Sequence, residues 1–115
     1  MKYIGSPYSD PSKEVRAVRA YKVGKFASYC IMRGHVVYCP ITSWHHLAEE
    51  HNLSTDFQFW KRLNFQILRF ASEMWVLRLD GWVRSVGLAG EMEMAGDLFI
   101  PIIHFDGITF ERVGR

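Results

Sequence analysis

The chain has 115 residues, 49% of them apolar and 23% charged, with a formal net charge of +2 at neutral pH. These fractions are those of a globular protein, fill one domain over residues 1–115 without room for a second, and exclude the strongly basic face that marks nucleic-acid binding. No segment approaches the ~20 apolar residues of a membrane span and no signal-like apolar run precedes Asp10-Pro11, so the expectation is a cytoplasmic protein that binds a small molecule, with neither nucleic acid nor membrane as partner.

Tyr3-Ile4 reads as a short buried strand that stops at Gly5-Ser6-Pro7, a turn of small residues that lets backbone N–H groups approach a ligand. A helix then starts with Asp10 as N-cap and Pro11 in the first turn. Its apolar stripe runs through Val15, Val18, Phe26, Cys30 and Ile31 until Gly34, while Lys13, Arg16, Arg19, Lys22 and Lys25 form a solvated polar face. His35 to Cys39 is the next strand, closed by Pro40. Helices follow at about residues 43–51 and 55–71, the second with Phe57, Trp60, Leu63, Ile67 and Phe70 at helical spacing. Glu73 to Leu79 is a third strand, residues 85–98 a helix, Phe99 to His104 a fourth strand, and Ile108 to Arg112 a short fifth at an edge. Strands that alternate with helices pair in parallel, which predicts an α/β domain of three layers with a parallel sheet of four to five strands. Ligands in such folds sit at the carboxyl ends of the strands, so Gly5 to Tyr8, Asp80 to Trp82 and Ser85 to Glu91 should gather at one rim.

Three groups of residues bear on chemistry. Glu91 follows small residues near a helix start, where unpaired N–H groups suit an anion. His45, His46, Glu49, Glu50 and His51 place two His/Glu pairs one helical turn apart, but the His-Glu-x-x-His arrangement is absent and no third ligand is evident, so a solvated helix face is expected and no metal or other cofactor. Cys30 and Cys39 have neither zinc-type spacing nor the density of a disulfide scaffold and are read as reduced thiols. Trp44, Trp60, Trp75 and Trp82 read mainly as core or interface, with Trp60 or Trp82 also able to stack on a ligand's ring.

Gly87 stands four residues before Glu91 and Ala95 four after it, with Ser85 six before. Together with the Tyr3 to Tyr8 turn, this pattern resembles the nucleoside 2-deoxyribosyltransferase superfamily, including its deoxynucleoside 5′-monophosphate N-glycosidase branch; Phe59-Trp60 and Asp80-Gly81-Trp82 resemble a bacterial subgroup of unknown function within it. The likeness implies a flavodoxin-like or Rossmann-like fold and a nucleoside or nucleotide substrate. It makes Glu91 the nucleophile on the anomeric carbon and Tyr8 the residue that orients it. Gly5 and Ser6 would form the substrate-binding turn, with Ser85 and the N–H groups near Gly87 on a 5′-phosphate or 5′-hydroxyl. It also implies a homodimer or homotetramer. One departure stands out. The two Asp residues that the superfamily carries before its third strand fall on Asn64 and Ser72, so its proton donor is replaced by an amide, and Asp80 is the nearest substitute in sequence. An N-glycosidase or transferase, a nucleotide-binding module without the acid, and an interaction protein with a basic first helix are the three readings that follow.

Overall fold

The computed structural model describes residues 1–114. Its elements are β1 (Lys2–Gly5), α1 (Lys13–Met32), β2 (Val37–Tyr38), α2 (Pro40–Glu50), α3 (Phe57–Leu68), β3 (Glu73–Arg78), α4 (Val86–Asp97) and β4 (Ile102–Asp106), with one 3-10 turn at Trp82–Arg84. The four strands pair in parallel in the order β2-β1-β3-β4. This is the three-layer flavodoxin-like or Rossmann-like α/β architecture.

The pleat divides the core in two. Tyr3, Met74 and Val76 project to one face and pack with Leu68, Leu88 and Ala95 of α3 and α4. Their chain neighbours Ile4, Trp75 and Leu77 project to the other and meet Val23, Phe26, Ala27 and Cys30 of α1. Both faces of the central strands are buried, which is why β3 reads as an unbroken apolar run. Gly90 belongs to the tight seam between α3 and α4, where the Phe57 ring occupies the place a Cβ would take.

Several predicted boundaries move, each for a local reason. Ser12 caps α1, its Oγ accepting from the Val15 N–H, while the Asp10 carboxylate accepts from the Ser12 N–H at 2.8 Å. The buried stripe of α1 is Val23, Phe26, Ala27 and Cys30, and Val15, Val18 and Ile31 lie exposed. Arg16 and Arg19, expected on a solvated face, brace loops: Arg19 donates to the carbonyls of Tyr8, Ser9 and Asp80, and Arg16 to the carbonyls of Asp10 and Pro11 and to the Glu49 carboxylate. Pro40 opens α2 three residues early, as suits a residue without an N–H. The fourth strand starts at Ile102, because Phe99 takes a left-handed φ of 57° to end α4 and the Pro101 carbonyl accepts from the Met74 N–H. The expected fifth strand is a turn: Asp106 accepts from the Ile108 and Thr109 N–H groups, leaving a single antiparallel bridge between Phe105 and Arg112. Cys30 and Cys39 are both free and buried. Among the described residues no helix is long and apolar enough to cross a membrane.

Candidate functional site

In the strand order β2-β1-β3-β4 the direction of winding reverses between β1 and β3, and an open parallel sheet leaves a crevice outside the carboxyl ends of its strands at such a point. A cavity of about 80 Å³ lies at the end of β1, walled by α2, α3 and the first half of α4. That is room for several waters or one small ring.

Glu91 forms part of its wall. Ser85 starts α4 by accepting the Leu88 N–H on its Oγ at 3.1 Å, and two turns of helix carry Glu91 back over β1, where it is 7% exposed. The Tyr3 hydroxyl, itself fully buried, donates to Glu91 Oε2 at 2.5 Å. Burial pushes the Glu91 carboxyl up to about 7, and the Tyr3 hydrogen bond opposes that rise by favouring the charged form. Tyr3 is raised well above its ordinary value, first by burial and then by the neighbouring Glu91 charge. Gly5 makes the approach possible. A Cβ there would stand 2.7 Å from Met74 Cε and 3.1 Å from Leu88 Cδ1, with Glu91 Oε1 3.6 Å away.

Two polar atoms of the cavity wall are left without partners. Ser6 Oγ and Asn64 Oδ1 are both buried, their residues 3% and 7% exposed, and neither makes a hydrogen bond among the described residues. An orphaned buried polar group costs about 1–3 kcal/mol, so two in one cavity mark a place shaped for something that is not protein. Across from them Trp44 and Trp60 stack with ring centroids 5.9 Å apart, fixed by hydrogen bonds from Trp44 Nε1 to the Tyr38 hydroxyl and from Trp60 Nε1 to the Ser54 carbonyl. Ser85 and Gly87 bring the first turn of α4 to the cavity.

Tyr8 also lines the cavity, but its hydroxyl pairs with His45 Nδ1 at 2.6 Å. The orienting bond expected from Tyr8 to Glu91 is therefore made by Tyr3, because the side chain at position 3 leaves β1 on the α4 face. Asp80 and Trp82 stand apart. Asp80 is exposed beyond β3, and Trp82 lies under the Arg78 guanidinium, 4.4 Å from its ring centroid. Gly5 sits behind the wall against Glu91, while Ser6, Asn64, Trp60, Ser85 and Gly87 reach the cavity.

The sequence reading missed two residues. Tyr3 was one more apolar strand position, although a tyrosine buried in a strand requires a partner for its hydroxyl. The His/Glu pairing suggests a solvated face for His45, yet Ile41, Trp44, His45 and Ala48 follow the i, i+3, i+4, i+7 spacing of an inward stripe and all line the cavity. Glu49, its expected companion, is held by Arg16 at 3.0 Å. No group of three metal-ligating side chains forms among the described residues.

Residues 1–106 match a family described as a domain of unknown function. No curated protein matches the chain.

Proposed function

The chain belongs to this family, DUF1937, and we propose that it is an N-glycosidase or 2-deoxyribosyltransferase for a nucleoside or nucleotide, with Glu91 as nucleophile. The observation that carries the reading is the buried Glu91 carboxylate in the wall of a cavity that also holds two unpartnered polar atoms. The resemblance in the Gly87, Glu91 and Ala95 spacing supports the same residue.

The chemistry suits the environment. A carboxylate held in low dielectric attracts an oxocarbenium-like centre more strongly than one in water, and forming the glycosyl ester removes a charge that burial disfavours. Tyr3 fixes Oε2 and leaves Oε1 for the attack. Ser85 Oγ accepts from the Leu88 N–H, so its hydroxyl proton is available to a 5′-oxygen or phosphate. The Trp44 and Trp60 pair offers an apolar flank to a base. A homodimer or homotetramer would cover part of the exposed Phe70, Val86, Phe99 and Ile108, and sedimentation at micromolar concentration tests this, with a monomer as the contrary result.

Asn64 favours a second reading, a nucleotide-binding module that lacks the superfamily's acid, since an amide has no proton to give up. Incubation with a panel of deoxynucleosides and their 5′-monophosphates separates the two. Release or exchange of base is expected for the enzyme, and calorimetric binding without turnover for the module; no binding at all would remove both.

A further inference from the structure

Breaking an N-glycosidic bond leaves an electron pair on the departing base, and that nitrogen must be protonated as it leaves. Apart from Glu91, which is committed to the anomeric carbon, the titratable groups lining the cavity are Tyr8 and His45. Asp80 is exposed outside it, and Asn64 carries no acidic proton.

We propose that His45, positioned by Tyr8, is the proton donor to the leaving base and takes the proton back from the attacking water or acceptor; the assignment rests on the glycosidic reading of the site. The geometry is that of an oriented imidazole. Nδ1 is held by the Tyr8 hydroxyl at 2.6 Å, and Nε2 makes no hydrogen bond among the described residues. The Tyr8 oxygen accepts from Nδ1–H in the imidazolium and in the neutral ring alike, which holds the neutral ring in the tautomer whose bare Nε2 can take a proton back. Tyr8 is itself anchored, since Arg19 donates to its carbonyl. His45 also borders the outer groove between α1 and α2, a path by which its proton exchanges with solvent.

The steps balance. Glu91 Oε1 bonds to the anomeric carbon as the bond to the base nitrogen breaks, its electron pair goes to that nitrogen, and the His45 Nε2 proton joins it. Water then attacks the glycosyl ester, neutral His45 accepts the water's proton, and the Glu91 carboxylate departs. The titratable and charged groups around His45 come from α1, α2, α4 and the segment after β1. Glu49 on α2 favours the imidazolium; His46 on α2 and Arg16 on α1 oppose it; Tyr8 follows β1; Glu91 faces the same cavity from α4. Burial opposes the imidazolium more than any of these charges, so the ring is a stronger acid than a free histidine.

The experiment compares kcat/KM for a deoxynucleoside 5′-monophosphate with a poor leaving base and for a 4-nitrophenyl 2-deoxyriboside 5-phosphate, whose leaving group departs without a proton. His45→Gln should lose on the order of 10²-fold or more on the first and less than tenfold on the second. Tyr8→Phe should lose less on the second substrate than on the first and shift the pH profile of the first, which a merely structural role for the ring would not do. Equal losses on both substrates, or no loss on either, with thermal melts showing folded protein, would overturn the assignment while leaving Glu91 in place. A wild type that cleaves neither substrate would overturn the glycosidic reading and the assignment with it. His45→Asn guards against a folding defect peculiar to the first variant.

Discussion

The two halves of the sheet's carboxyl rim contrast sharply in how their polar groups are spent. Beyond β3 and β4, Arg78 donates to His104 Nδ1 at 3.1 Å and covers the Trp82 ring, Asp106 caps the turn after it, and the Asp80 carbonyl accepts from Arg19. Beyond β1, Ser6 Oγ and Asn64 Oδ1 are buried with no hydrogen-bond partner among the described residues, and Glu91 is buried with one donor among them, the Tyr3 hydroxyl. A polar group satisfied by its neighbours serves the fold. One that is buried and unsatisfied costs stability for as long as nothing meets it, and that cost makes the β1 half the candidate site.

Substitutions at the two halves should therefore differ most in activity. Glu91→Gln removes the attacking charge with little change of shape, and loss of a nucleophile commonly costs on the order of 10³ or more in rate; base release within tenfold of wild type would exclude the role. Asp80→Asn on the other half should leave the rate within about threefold, and a loss comparable to that of Glu91→Gln would dissolve the contrast between the halves.

Stability sharpens the contrast in the opposite direction. The Glu91 carboxyl titrates at about 7 when folded and near its ordinary value of 4.5 when unfolded. Its raised value means that the folded state loses stability as pH rises from about 4.5 to 7 and keeps that loss above 7, by on the order of 3 kcal/mol if all of the shift is expressed. Glu91→Gln should thus melt higher than wild type at pH 8 and close to it at pH 4.5; the reverse order would show that the carboxylate is favoured in place. Gly5→Ala is expected to cost about 1–3 kcal/mol in denaturant unfolding, because its Cβ meets Met74 and Leu88 in a packed core, and an unchanged midpoint would mean that α4 yields. Ser85→Ala should weaken monophosphate binding by roughly 1.5–3 kcal/mol with less effect on the unphosphorylated nucleoside, in addition to about 1 kcal/mol of lost helix cap; equal effects on both ligands would leave the cap as its whole role.

The parallel α/β order was legible because apolar runs alternate with capped helical stretches, and β3 through α4 fall within two residues of where the sequence puts them. The ends were less legible. Phe99 ends a helix through a left-handed conformation that its residue type does not advertise, and the Asp106 turn replaces a strand through side-chain hydrogen bonds to the backbone. Of the candidate residues, Ser6, Tyr8, Trp60, Asn64, Ser85, Gly87 and Glu91 meet in one cavity, since Ser6 and Tyr8 follow β1, Trp60 and Asn64 are one helical turn apart on α3, and Ser85 to Glu91 open α4. Asp80 and Trp82 followed the same rule and still fall outside, because the 3-10 turn after β3 directs them toward β4 and solvent. Which tyrosine reaches Glu91 depends on the pleat of β1 and the closeness of α4, neither of which residue spacing reveals.

A glycosidic role for Glu91 requires a covalent bond between its carboxylate and a deoxyribosyl group, and intact-protein mass spectrometry of the chain quenched during incubation with deoxynucleoside 5′-monophosphates looks for that bond. The account predicts a deoxyribosyl-phosphate adduct that maps to the Glu91 peptide and is missing in Glu91→Gln. Base release without an adduct on Glu91, at a rate that Glu91→Gln retains, would contradict it.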